Sequence, residues 1–254
     1  IPVIAVSLYK MMDKIMLGYL VNVTEVGYYE NAEKIMNIPQ TFIAALGTVM
    51  LPRMSSMVSE GNRKEMNSYI EKSIDFIMFL SFGMCFALIS VGYHFAPWYF
   101  GAEFQKTGIL IMMLAVTLPF VSFANVIRTQ YLIPVEKDKE YVISVQLGAV
   151  VNFVINLMLI PAMASTGACV GTILAEVSVM GYQTFAVRKE LDIWCYLKNS
   201  IPFLLKSIVM FVVMYAFNYL EMKSIYRLLL QVLAGGMVYL LLNFRYVFTL
   251  IKNR

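Results

Sequence analysis

An apolar run long enough to cross a bilayer as a helix recurs eight times, at roughly residues 2–22, 29–52, 72–95, 107–133, 141–162, 166–187, 201–221 and 226–250. About 30 Å of hydrocarbon takes about 20 helical residues. Every backbone N–H and C=O in that layer must be bonded within the protein, so helices or closed barrels are the available solutions. These runs are continuous rather than alternating, and much longer than the ~10 residues of a barrel strand. The sequence therefore predicts an all-α, polytopic transmembrane helical bundle of about eight spans. A mean hydropathy of +0.71, with 60% hydrophobic and 14% charged residues, fits a chain whose solvent is mostly lipid.

The net charge of +4 is explained by where the cations lie. Arg53, Arg63, Lys64 and Lys72 fall at the second connector, and Lys137 and Lys139 at the fourth. Arg188, Lys189 and Lys198 fall at the sixth, and Arg245, Lys252 and Arg254 at the end. The first connector (Val23–Tyr28) and the fifth (Ala162–Ser165) carry no cation, the third has Lys106, and the seventh has Lys223 and Arg227. This alternation predicts that both termini and the even connectors are cytoplasmic. No nucleic-acid partner is needed to account for the basic balance. The third connector, His94-Phe95-Ala96-Pro97-Trp98-Tyr99-Phe100, reads as an aromatic belt at headgroup depth, with His94 an interface residue rather than a proton relay. Cys85, Cys169 and Cys195 are odd in number, sit in or beside apolar runs, and read as buried free thiols rather than metal ligands. The chain opens on Ile1 with no charged leader before its first apolar run, and reads as a piece of a longer protein.

Ionisable groups inside a span cost about 2.5–3.5 kcal/mol each on insertion scales, so they normally border a bundle interior or a hydrated cavity. In the first span Lys10, Asp13 and Lys14, with Ser7, share one helical stripe. They form either an internal salt bridge or a cavity lining whose net positive charge attracts an anion. In the second span Glu30, Glu33, Lys34, Asn37, Thr41 and Thr48 fall on one face, with Pro39 between them as the expected break and candidate hinge. The fourth span adds Asn125 and Arg128, the fifth Asn152 and Asn156, and the sixth Thr172, Glu176 and Gln183. An isolated Asn or Thr in a membrane helix is usually interhelical glue, worth about 0.6 kcal/mol. Arg128 and Glu176 call for more than that. The last two spans, apart from Lys206 and Asn218, are apolar and read as peripheral. No nucleophile–base set, metal-ligand cluster or phosphate-cradling glycine loop occurs, so an enzyme is not expected and no cofactor or metal is implied.

The phrases Asp13-Lys14-Ile15-Met16-Leu17-Gly18-Tyr19, Val26-Gly27-Tyr28-Tyr29 with Ala32 and Lys34-Ile35, and Leu51-Pro52-Arg53-Met54-Ser55 resemble the bacterial polysaccharide flippases. Gln130-Tyr131-Leu132-Ile133-Pro134, Lys137-Asp138-Lys139-Glu140-Tyr141, Asn152 and Asn156 before Leu159-Ile160-Pro161, and Gly167-Ala168 follow in the family's order. The chain resembles the C-terminal half of a Wzx-type member of the multidrug/oligosaccharidyl-lipid/polysaccharide superfamily. That implies a MATE-like second six-helix lobe over residues 1–190 and two added helices over 191–254. The implied activity is flipping of undecaprenyl-diphosphate-linked oligosaccharide repeat units across the cytoplasmic membrane for O-antigen, capsule or similar polymers. A polysaccharide polymerase and glycosyltransferases would be its partners. Lys10, Lys14, Lys34 and Arg128 are then expected to offset the diphosphate, and the cavity's Asn, Gln, Thr and carboxylate groups to bind sugar hydroxyls. A cation-coupled drug or metabolite antiporter of the same superfamily, using Glu33 and Glu176, is the alternative.

Overall fold

The computed structural model describes the backbone of residues 2–219 and 222–252, and side chains from residue 11 onward apart from 220, 221, 251, 253 and 254. The described residues form helices without strands. They are α1 (Pro2–Leu20), α2 (Val23–Ser59), α3 (Arg63–Phe100), α4 (Gln105–Ala115), α5 (Thr117–Ile127), α6 (Asp138–Met163), α7 (Ser165–Val187), α8 (Ile193–Ala216), α9 (Ser224–Leu242) and α10 (Phe244–Lys252). Six of them are long and apolar enough to cross a membrane, and α4 with α5 makes a seventh, bent by 40°. The eighth expected span is α1, whose 19 residues include Lys10, Asp13 and Lys14.

Local signals set the helix ends. Asn22, Asn62 and Asp192 accept from the backbone N–H of Glu25, Glu65 and Cys195 and so cap α2, α3 and α8. Between α6 and α7 the chain reverses through Ala164 alone, at φ 51°. The two helices then lie so close that a Cβ on Gly167 would come within 2.6 Å of the Leu159 carbonyl oxygen. In lipid, where apolar side chains gain nothing from leaving their solvent, such small-residue contact is a main source of helix association.

The break expected at Pro39 is absent. α2 runs unbroken through Pro39 and Pro52, because a proline removes one hydrogen bond and the surrounding turns, packed on neighbouring helices, hold the rest. The discontinuity lies in the fourth span instead, where α4 stops at Ala115, α5 begins at Thr117, and the span ends in a π-helical turn, Arg128–Leu132.

The connectors meet in two separate sets. At one end Lys106 of the third connector forms an ion pair with Glu25 at 2.7 Å. Glu25 in turn accepts from the Ser165 hydroxyl at 2.5 Å and the Ser165 N–H at 3.1 Å, so the first, third and fifth connectors are tied together. His94 and Arg227 join the third and seventh through ring and guanidinium nitrogens 3.3 Å apart. At the other end Glu190 of the sixth connector accepts from Tyr131 and pairs with Lys137 of the fourth. Odd connectors meet odd and even meet even, as alternate crossings of one slab require. Cys85 and Cys169 are buried and Cys195 half-buried, all as free thiols.

Candidate functional site

Four helices converge on a polar cluster centred on Asp13 of α1, which is 5% exposed. Its carboxylate accepts from the Tyr29 hydroxyl of α2 at 2.7 Å, from Thr172 Oγ1 of α7 at 3.0 Å, and from Asn156 Nδ2 of α6. Asn156 Nδ2 also lies 3.1 Å from Asn152 Oδ1. A carboxylate can be kept this deep only when such donors replace water. Asp13 therefore belongs to a closed network rather than to an open wet stripe, a correction to the expectation for the first span. Lys14, the next residue, forms an ion pair with Glu33 of α2 at 3.0 Å, so the expected net positive charge of that stripe is met by a carboxylate. The side chain of Lys10 lies outside the described residues.

Beside this network is a cavity of about 370 Å³ between α2, α5, α6 and α7. Asn37, Gln40 and Thr41 line it from α2, Asn125 and Arg128 from the end of the bent span, Tyr141 from α6, and Glu176 and Gln183 from α7. A smaller recess of about 60 Å³ shares Asn37, Gln40 and Glu176 with it and adds Glu33, Tyr29 and Thr172. The recess thus joins the cavity to the Asp13 network through Tyr29 and Thr172.

Arg128 is held at the mouth of the π-helical turn. Its guanidinium donates to Asn125 Oδ1 at 2.5 Å and lies 5.5 Å from the Tyr141 ring centroid. Asn125 is itself anchored, donating to the Ile43 carbonyl at 2.9 Å. No carboxylate among the described residues lies within ion-pair distance of Arg128. Of the five N–H donors a guanidinium offers, several stay available for an anionic group.

The residues singled out in sequence thus separate into three sets. Asn37, Arg128 and Glu176 meet at the cavity, with Glu33 in the adjoining recess. Asp13, Asn152 and Asn156 are buried together one layer away. Glu30 and Lys34 pair with each other at 3.5 Å along α2 and stay 48% and 60% exposed at the side chain. Thr48 donates to its own helix at Ala44 and faces outward, away from the cavity lining. Tyr29, Gln40 and Tyr141 escaped the sequence reading, although Tyr29 and Tyr141 both stand in the phrases that carried the family resemblance. Their aromatic rings look apolar by composition; their hydroxyl or cation contacts emerge only with the packing.

With this geometry in place, the comparison with known proteins is decisive at the family level: the MurJ lipid II flippase model matches residues 3–249. The chain belongs to the MurJ family. This family falls within the superfamily that the sequence phrases indicated. The lipid II flippase MurJ of Bacillus subtilis is 24% identical over 233 residues, covering 84% of this chain and 42% of that protein. A Haloferax volcanii protein assigned as a probable low-salt glycan biosynthesis flippase, Agl15, is 24% identical over 249 residues, covering 94% and 50%. A solved lipid II flippase MurJ in an inward closed conformation superposes with a TM-score of 0.84 at 18% identity, covering 98% of this chain and 53% of that one. The chain spans about half the length of the relatives it matches. It is a multi-pass membrane protein of a flippase family whose members are transporters of lipid-linked glycan precursors.

Proposed function

We propose that this chain forms one half of a carrier that flips undecaprenyl-diphosphate-linked oligosaccharide repeat units across the bacterial cytoplasmic membrane for O-antigen, capsule or exopolysaccharide synthesis. The observation that carries the reading is Arg128: a cation in a polar cavity of a membrane bundle, with donors to spare and no described carboxylate partner. An ionisable group of this kind in a membrane bundle borders a hydrated cavity, and planar N–H pairs match phosphate oxygens. Lys10 would assist from α1. Asn37, Asn125 and Gln183 would hold sugar hydroxyls while the lipid chain stays in the bilayer. The exposed Glu30 and Lys34 pair on α2 would face the other half of the carrier. Residues 1–190 would be its six-span lobe and 191–254 two peripheral helices. The even connectors and both ends would be cytoplasmic, Pro39 a hinge, and a polymerase and glycosyltransferases the neighbours that use and supply the substrate.

The test is complementation with the gene encoding this chain in a strain lacking its repeat-unit flippase. Surface polysaccharide should return with the wild type, fall at least tenfold with Arg128→Ala at equal membrane abundance, and recover in part with Arg128→Lys. Arg128→Ala exporting at the wild-type level would remove the diphosphate role. Rescue of a strain depleted of its lipid II flippase, with no rescue of the repeat-unit strain, would move the substrate to lipid II.

A further inference from the structure

A second cavity, of about 790 Å³, opens between α3, the start of α5, α7 and α8. Its wall is apolar, with Phe82, Phe86, Val116, Phe120, Leu197 and Leu204 among the lining side chains. The one hydroxyl there, on Ser200, already donates to the Tyr196 carbonyl at 2.8 Å, so water would find few partners inside. Val116 is the residue at the bend between α4 and α5, so the cleft lies against the broken span as well as against α8.

The mouth of the cleft is cationic. Lys198 lines it beside Trp194, and an adjoining hollow that shares Trp194 and Leu197 holds Arg188 and Lys189. Among the described residues none of these three cations has a carboxylate within ion-pair distance. Glu190 and Asp192 line the same hollow, but their oxygens are engaged: Glu190 with Lys137 and Tyr131, and Asp192 as the N-cap of α8, accepting from the Cys195 N–H at 3.1 Å. Arg188 donates to the neutral Phe185 carbonyl. Three cations with no carboxylate at ion-pair distance and an exposed indole thus stand over a dry trough.

We propose that this cleft binds an anionic glycerophospholipid of the surrounding bilayer, with an acyl chain between α8 and the bent span and the phosphodiester among Arg188, Lys189 and Lys198. An aromatic ring at headgroup depth and cations just beyond it are the arrangement such a lipid meets at a membrane surface. The cations select charge, while the trough selects a chain. A zwitterionic lipid would bring its own ammonium into the same cationic mouth. The bound lipid would act as a wedge between the first seven helices and α8, and the inference does not depend on which glycan is carried.

The experiment is native mass spectrometry of the purified full chain, titrated in detergent with phosphatidylglycerol or phosphatidylcholine of matched chains. Each cation near a headgroup contributes about 1 kcal/mol, roughly fivefold, so phosphatidylglycerol should be retained at a concentration at least tenfold lower. Arg188→Ala/Lys189→Ala/Lys198→Ala should remove that preference without lowering thermal stability in phosphatidylcholine. Leu204→Trp, which fills the trough, should weaken retention of both lipids. Equal retention of the two lipids, or a preference untouched by the triple variant, would overturn the proposal. So would displacement of phosphatidylglycerol by equimolar undecaprenyl phosphate, which would assign the cleft to the carried lipid instead.

Discussion

The Tyr29 hydroxyl donates to the Asp13 carboxylate across the α1–α2 interface at 2.7 Å, and the same hydroxyl lies 2.9 Å from Thr172 Oγ1 of α7. One phenol thereby ties three helices to one buried acid. A hydrogen bond to a charged group contributes about 1.5–3 kcal/mol, and the cost of removing a donor is larger when the acceptor stays buried. Tyr29→Phe should therefore destabilise the protein by about 1.5–3 kcal/mol, whereas Asp13→Asn, which keeps the shape but loses the charge, should reorganise the donors and cost a comparable amount. Thermal unfolding in detergent, followed through the buried Cys169 by a thiol-reactive dye, measures both. A Tyr29→Phe midpoint equal to that of the wild type would mean that the network holds without its phenol.

Gly171 of α7 tests the same network from its far side. A Cβ there would lie 2.1 Å from Asn156 Oδ1, and Asn156 is fully buried between Asp13 and Asn152. Gly171→Ala should push the amide off Asp13 and cost about 1–3 kcal/mol as overpacking. Gly181 is the internal control. It lies on the same helix, is exposed, and has nothing within 4 Å of an added Cβ. Gly181→Ala should be neutral or stabilise by up to about 1 kcal/mol through helix propensity. Equal behaviour of the two alanines in the unfolding assay would contradict the close packing of α6 on α7.

The helices were legible because the hydrocarbon layer dictates their length and leaves the backbone few alternatives, and the family because ordered phrases such as Leu51-Pro52-Arg53 mark it. Facing was legible in part. Helical spacing put Asn152 and Asn156 on one face of α6, where they meet, while the convergence of Asn37, Arg128 and Glu176 on one cavity depends on how three separate spans pack. The spacing failed for Asp13, because periodicity assigns residues to a stripe without saying whether water or another helix covers it. The burial of Asp13 depends on Tyr29, Asn156 and Thr172 arriving from three other helices. The break expected at Pro39 did not form for a related reason: a proline weakens a helix locally, and tertiary packing decides whether it breaks. The bend appeared instead at Ala115–Thr117, where Pro119 has no N–H to give the Ala115 carbonyl four residues back.

At the even-connector end, hydrogen bonds from Lys137 and then Tyr131 hold the Glu190 carboxyl below its ordinary value of 4.5. A depressed folded-state value means that the ionised form is favoured by folding, so the contribution is fully present above the unfolded value. It is lost as pH falls through the lower, folded-state value. The wild type should therefore melt above Glu190→Gln from pH 7 down to about pH 5, and the gap should narrow steadily from there toward pH 3. Because the site is partly exposed, added salt should also narrow the gap at neutral pH. Melting curves for the two proteins across that range decide it, and a gap that widened on acidification would reverse the sign of the linkage.

Lys14 and Glu33 separate stability from transport. They form an ion pair at 3.0 Å between α1 and α2, each roughly a quarter to a third exposed at the side chain. If the pairing is what matters, Lys14→Glu and Glu33→Lys should each lower stability, and the double reversal should restore it, with a coupling of about 0.2–1 kcal/mol for a partly solvated pair. If Lys14 also meets the diphosphate during translocation, the reversal restores the melting point but not export, because a carboxylate would then stand where the anion passes. A double variant that recovers both would confine Lys14 to its pairing role and leave Arg128 and Lys10 as the cations that meet the substrate. One that recovers neither would mean that the surroundings of each position, Asp13 and then Glu30, set the sign of the charge it can hold.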